Sequence, residues 1–69
     1  MAQLTGRERE VVGLIGEGLS YDEIGHRLQV GAHAIRAHVR DILKKLGFRT
    51  RLEIAAYARR NGRRSVNGP

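Results

Sequence analysis

An all-α fold of four short helices is predicted by three features of the 69-residue sequence. A hydroxyl residue followed three places later by glutamate recurs three times, and glycines stand where helices would end. Between these signals, apolar residues recur every three or four positions, and no stretch alternates as a strand would. No internal repeat is present.

Thr5-x-x-Glu8 opens the first helix, expected over 6–17, and Gly18 closes it. In such a box the hydroxyl accepts from an amide in the first turn, and the glutamate accepts from the cap amide in return. Ser20-x-x-Glu23 opens the second helix, over 21–28, with Leu19 and Ile24 placed as a hydrophobic staple. Gly31 stands at the N-cap of the third helix, over 32–46, without a box, although Val30 and Ile35 can form its staple. Gly47 closes that helix. Thr50-x-x-Glu53 opens the fourth, over 51–61, and Gly62 is placed to end it. The remaining residues, 63–69, have no packing face and are expected to form a mobile basic tail beyond a single domain over 4–62. Interior glycines at 13, 16 and 25 each cost roughly 1 kcal/mol relative to alanine, so a marginally stable domain is expected. Close approach of the second and third helices at Gly25 would offset part of that cost.

Charge is distributed unevenly. Through Val30 the chain has three basic and five acidic residues; from Gly31 onward it has ten basic residues against Asp41 and Glu53. The two parts, −2 and +8, give the net +6. Positive charge gathered in one half suits a polyanionic partner. With no cysteine, disulfides and thiol catalysis are excluded, and most structural zinc sites with them. No apolar stretch could span a bilayer and no signal-peptide pattern opens the chain, so the expectation is a cytoplasmic protein without membrane association. A domain this small has little room for a catalytic cleft. Its histidines, His26, His33 and His38, lack metal-ligand spacing, and Ser20 and Thr50 serve better as caps than as nucleophiles. Neither an enzyme nor a cofactor is expected.

The third helix carries the chemistry. With Ile35 at 0° and about 100° per residue, Val39, Ile42, Leu43 and Leu46 fall between about 340° and 80°, an apolar stripe. Arg36, Arg40, His33, Lys44 and Ala37 fall between about 100° and 200°, a basic face away from that stripe, with Asp41 to one side. Only Gln29, Val30 and Gly31 separate the second and third helices, the spacing of a tri-helical helix-turn-helix. A plain helical bundle would share that spacing. A helix fits the major groove of DNA, where arginine forms two parallel hydrogen bonds to guanine. Arg36 and Arg40 lie one turn apart in the forward half, with Ala37 small enough for close approach to a thymine methyl. Lys44 and Lys45 lie further along, where phosphates are expected.

Taken together, Leu4-Thr5-Gly6-Arg7-Glu8-Arg9-Glu10-Val11-Val12, Glu17-Gly18-Leu19-Ser20-x-x-Glu23-Ile24 and Ile35-Arg36-Ala37-His38-Val39-Arg40-Asp41-Ile42-Leu43-Lys44-Lys45-Leu46-Gly47 resemble the LuxR-type (GerE-like) DNA-binding domain. The resemblance runs from Leu4 to about Gly62. It implies a four-helix domain like those at the C-terminus of two-component response regulators and quorum-sensing receptors. It also implies transcriptional regulation, an operator of inverted half-sites and a dimer formed through the fourth helix. By the same resemblance, Arg36, Ala37 and Arg40 face bases, while Tyr21, Ala34, His38, Lys44, Arg49 and Arg51 lie near the DNA backbone. Ser20, His33 and Lys45 join the expected backbone set. Gly31 and Ala34 depart from the family's usual hydroxyl residues, and Asp22 replaces a frequent lysine; weaker intrinsic affinity and greater reliance on arginine follow.

On the fourth helix Leu52, Ala55 and Ala56 share one face, and Ile54, Tyr57 and Ala58 share another. A helix apolar on two faces needs two partners. Ile54, Tyr57 and Ala58 are the expected dimer face, in an association that is weak without DNA. The start of the chain also resembles region four of bacterial sigma factors, which would make RNA polymerase a partner, although the full fourth helix favours the LuxR-type reading. A protein-interaction module using its basic face on an acidic partner is the remaining alternative.

Overall fold

The structure, a computed structural model, describes the backbone of residues 3–67 and the side chains through Asn61. It consists of α1 (Gly6–Gly16), α2 (Tyr21–Leu28), α3 (Ala32–Leu46) and α4 (Arg51–Asn67), with no strand among the described residues. The first two helices start as their sequence dictates. The Thr5 amide donates to Glu8 Oε1 at 2.8 Å while Thr5 Oγ1 accepts from the Glu8 amide at 3.1 Å. Ser20 and Glu23 repeat the exchange at 2.7 and 3.1 Å. At α4 only half of the box forms: Glu53 accepts from the amides of Arg49 and Thr50, at 2.6 and 3.0 Å. Gly31 begins α3 with no side-chain cap.

The first three helices end alike. At each end the chain turns left-handed and two amides fold back on the last turn, the paired bonds of a Schellman motif. Gly18 and Leu19 donate to the carbonyls of Ile15 and Leu14, and Gly47 and Phe48 to those of Lys44 and Leu43. At α2 the left-handed residue is Gln29, with φ of 61°, while Gln29 and Val30 donate to His26 and Gly25. A side chain in that conformation costs about 1–2 kcal/mol, which the two backbone bonds help to offset.

The fourth helix departs from expectation. It continues through Asn67, and Gly62 lies inside it rather than past its end. A glycine costs a helix roughly 1 kcal/mol but does not oblige it to stop, and the neighbouring arginines are good helix formers. The segment expected as an unstructured tail is therefore helical through Asn67; residues 68 and 69 lie outside the described range.

α4 packs chiefly on α1, and α2 chiefly on α3, with α1 joining the two pairs. Val11, Ile15, Ile24, Ile35, Ile42 and Ile54 are fully buried where the pairs meet. Phe48 follows the α3 turn and sets its ring edge-on to Tyr57 of α4, centroids 5.9 Å apart. This core takes in the apolar stripe of α3 and leaves the opposite side free.

Candidate nucleic-acid interface

Ile35, Val39 and Ile42 of α3 are 0, 5 and 0% exposed, and the other side of the helix faces solvent. Arg36, Ala37 and Arg40 are all exposed, as are His33 and Lys44. Neither Arg36 nor Arg40 has an ion pair or a side-chain hydrogen bond among the described residues. Two guanidinium groups one turn apart are thus held on a rigid element with every donor available. Ala34 and His38, on the flanks, are half-buried.

The α2 N-terminus and the start of α4 also meet. The Arg51 guanidinium lies 4.7 Å from the centre of the Tyr21 ring and donates to the Leu19 carbonyl at 2.8 Å. Together these contacts tie the start of α4 to the first residue of α2 and to the turn before it. Arg49, exposed, lies in the loop before α4.

Two expectations are corrected. Lys45 does not lie on the basic face: its ammonium donates to Glu8 Oε1 at 2.8 Å. The helical wheel accounts for this, since Lys45 falls near 280°, on the side turned towards α1. Glu8 is buried and its carboxylate needs a counter-charge. The Lys45 hydrogen bond, followed by that from the Thr5 amide, holds the Glu8 carboxyl below its ordinary pKa. Nothing in a capping box requires its glutamate to be buried, so the sequence pattern alone does not foretell this pair.

The second correction concerns α4. Ile54 is 0% exposed and belongs to the core of its own chain, so it cannot meet a second subunit. Tyr57 and Ala58 also pack against the core but are only half-buried, so part of each stays on the surface. Ala58 sits so near Gly16 that a Cβ there would lie 2.6 Å from the Ala58 methyl. Among the described residues, the exposed apolar side chains of α4 are Leu52, at 77%, and Ala56.

A helix-turn-helix whose second helix shows a basic, unencumbered side defines a class of protein: a DNA-binding domain of transcriptional regulation. More narrowly, the chain belongs to the luxR family of bacterial regulatory proteins, whose family model matches residues 2–58. It is 44% identical over 57 residues to the HTH-type transcriptional regulator MalT of Yersinia pestis (strain Pestoides F), an alignment covering 83% of this chain and 6% of that protein. It is 41% identical over 58 residues to the transcriptional regulatory protein LiaR of Bacillus subtilis (strain 168), covering 84% of this chain and 28% of that protein. The chain therefore spans less than a third of either relative. The family is one of DNA-binding modules rather than enzymes. Among the described residues, no group of three or more His, Cys, Asp or Glu side chains could hold a metal ion, and no helix is long and apolar enough to cross a membrane.

Proposed function

We propose that this domain binds double-stranded DNA sequence-specifically, in the cytoplasm, by laying α3 in the major groove. The observation that carries this reading is the division of α3, with Ile35, Val39 and Ile42 buried behind and Arg36, Ala37 and Arg40 exposed in front. Arg36 and Arg40 read base edges, with Ala37 allowing close approach. Ser20, Tyr21, His33, Lys44, Arg49 and Arg51 lie along the phosphates and set the register, part of the Arg51 guanidinium being already anchored on Leu19.

Replacing Arg40 by alanine is expected to cost about 1–3 kcal/mol on the preferred duplex and much less on random sequence. Fluorescence titrations at several salt concentrations measure both. Binding by wild type should also fall steeply with salt, through counterion release, which separates DNA recognition from docking on an acidic protein. Equal losses on both duplexes would reduce Arg40 to a phosphate contact.

Two copies bind inverted half-sites, meeting through the outward face of α4 at Leu52 and Ala56. Leu52 is the one large apolar side chain left exposed among the described residues. So small a patch makes a weak association that DNA strengthens by holding two subunits together. Sedimentation is expected to find a monomer for the free domain and two copies per operator, with Leu52→Glu abolishing cooperative occupancy of paired half-sites. A tight dimer without DNA would overturn this assignment. The resemblance to response-regulator output domains supports a setting in a two-component system, with RNA polymerase a further partner when the site adjoins a promoter.

A further inference from the structure

We infer that Asp41 is a specificity-determining residue of α3, selecting cytosine at one position of each half-site. The inference rests on the groove reading above. The fully buried Ile35 and Ile42 and nearly buried Val39 define the inward direction of α3, so the outward direction lies near 190° on the wheel. Ala37 falls at about 200°, Arg40 at about 140° and Asp41 at about 240°. Arg40 and Asp41 therefore occupy opposite shoulders of one outward face, about equally far from its centre. Asp41 is exposed. It is the only acidic residue on a helix that otherwise carries Arg36, Arg40, Lys44 and Lys45.

No structural duty accounts for it. Asp41 lies in the interior of α3, away from the first turn where a carboxylate caps a helix, and aspartate is a poor helix former there. It makes no ion pair or side-chain hydrogen bond among the described residues, although Lys44 and Lys45 follow at helical spacing. Lys45 is engaged by Glu8 instead.

A carboxylate has only acceptors to offer. In the major groove guanine presents two acceptors and thymine one, and adenine sets an acceptor beside its amino group. Cytosine alone presents a donor without a competing acceptor, its N4 amino group, and is the base a carboxylate fits. Beside phosphate the same charge is repelled, so Asp41 also disfavours non-specific docking.

Selecting sites from random duplexes with the wild-type chain and with Asp41→Ala, Asp41→Asn and Arg40→Ala tests this. Wild type is expected to enrich cytosine at one position per half-site. Asp41→Ala should flatten that position alone, with a loss of about fivefold or more in discrimination, while binding random DNA more tightly. Asp41→Asn should shift the same position towards adenine, which an amide pairs in two places. Circular dichroism should find both variants folded, since the side chain is exposed. An unchanged profile for Asp41→Ala, beside one altered by Arg40→Ala, would overturn this inference and leave the groove reading standing. So would a uniform gain in affinity with every preference intact. A wild-type chain with no base preference would overturn both.

Discussion

Gly25→Ala is expected to destabilise the domain by about 2–3 kcal/mol, even though alanine is the better helix former by roughly 1 kcal/mol. Gly25 is buried on α2 where the turn to α3 folds back across it. A methyl group there would stand 2.6 Å from the Val30 carbonyl oxygen, 3.2 Å from the Ala32 amide nitrogen and 3.3 Å from the Gly31 carbonyl carbon. All three are backbone atoms, and the first belongs to the residue whose amide bonds back to the Gly25 carbonyl at 2.8 Å. No side chain can rotate away, so the turn itself must open, and the angle between α2 and α3 opens with it. Gly13→Ala makes the same chemical change on α1 with nothing within 4 Å of the added carbon. It should stabilise by about 1 kcal/mol or slightly less. Urea denaturation of the two variants is thus expected to move in opposite directions. A common direction would show that propensity, not the close approach, governs Gly25. The functional effect should follow, because a re-angled α3 cannot present Arg36 and Arg40 as the native helix does.

How much was legible in the sequence depended on how local the cause was. The starts of α1 and α2 and the end of α3 are settled by groups within five residues of one another, and the caps announced them. The outward basic face of α3 follows from helical periodicity alone. The wheel also turns Lys45 away from that face, but its partner Glu8 lies 37 residues earlier, and no local pattern links them. The left-handed turn at Gln29 carries no glycine to mark it. The orientation of α4 was illegible for a different reason. Two apolar faces compete there, and the choice is made by α1, where Gly16 lets Ala58 approach and the core takes in Ile54. Only the packed structure can decide which face remains outside.

The Glu8–Lys45 pair should be the electrostatic contact on which the fold depends most. Glu8 has two duties: it completes the cap of α1, and it anchors the last turn of α3 through Lys45. Glu8→Ala removes a cap worth about 1 kcal/mol and strands a part-buried ammonium, so a loss of about 2–4 kcal/mol is expected. For a small domain that is a large fraction of total stability. Glu8→Gln keeps a capping acceptor while losing the charge, and should fall between the two. Lys45→Met in each background isolates the pair, since the cost of losing Lys45 should nearly vanish once Glu8 is alanine. The pH dependence has a definite sign. The folded-state pKa of Glu8 is depressed, by Lys45 first and the Thr5 amide second, so its contribution is complete above the unfolded glutamate pKa. It drains away as pH falls through that value and then through the lower folded one. Glu23, held down chiefly by the Ser20 amide, and Glu53, chiefly by that of Arg49, add the same trend at the starts of α2 and α4. Denaturation midpoints measured from neutral to acid pH should decline more gently in Glu8→Gln than in wild type, with Lys45→Met between. Parallel curves would mean that the ion pair contributes nothing and that the apolar stripe alone holds α3 in place.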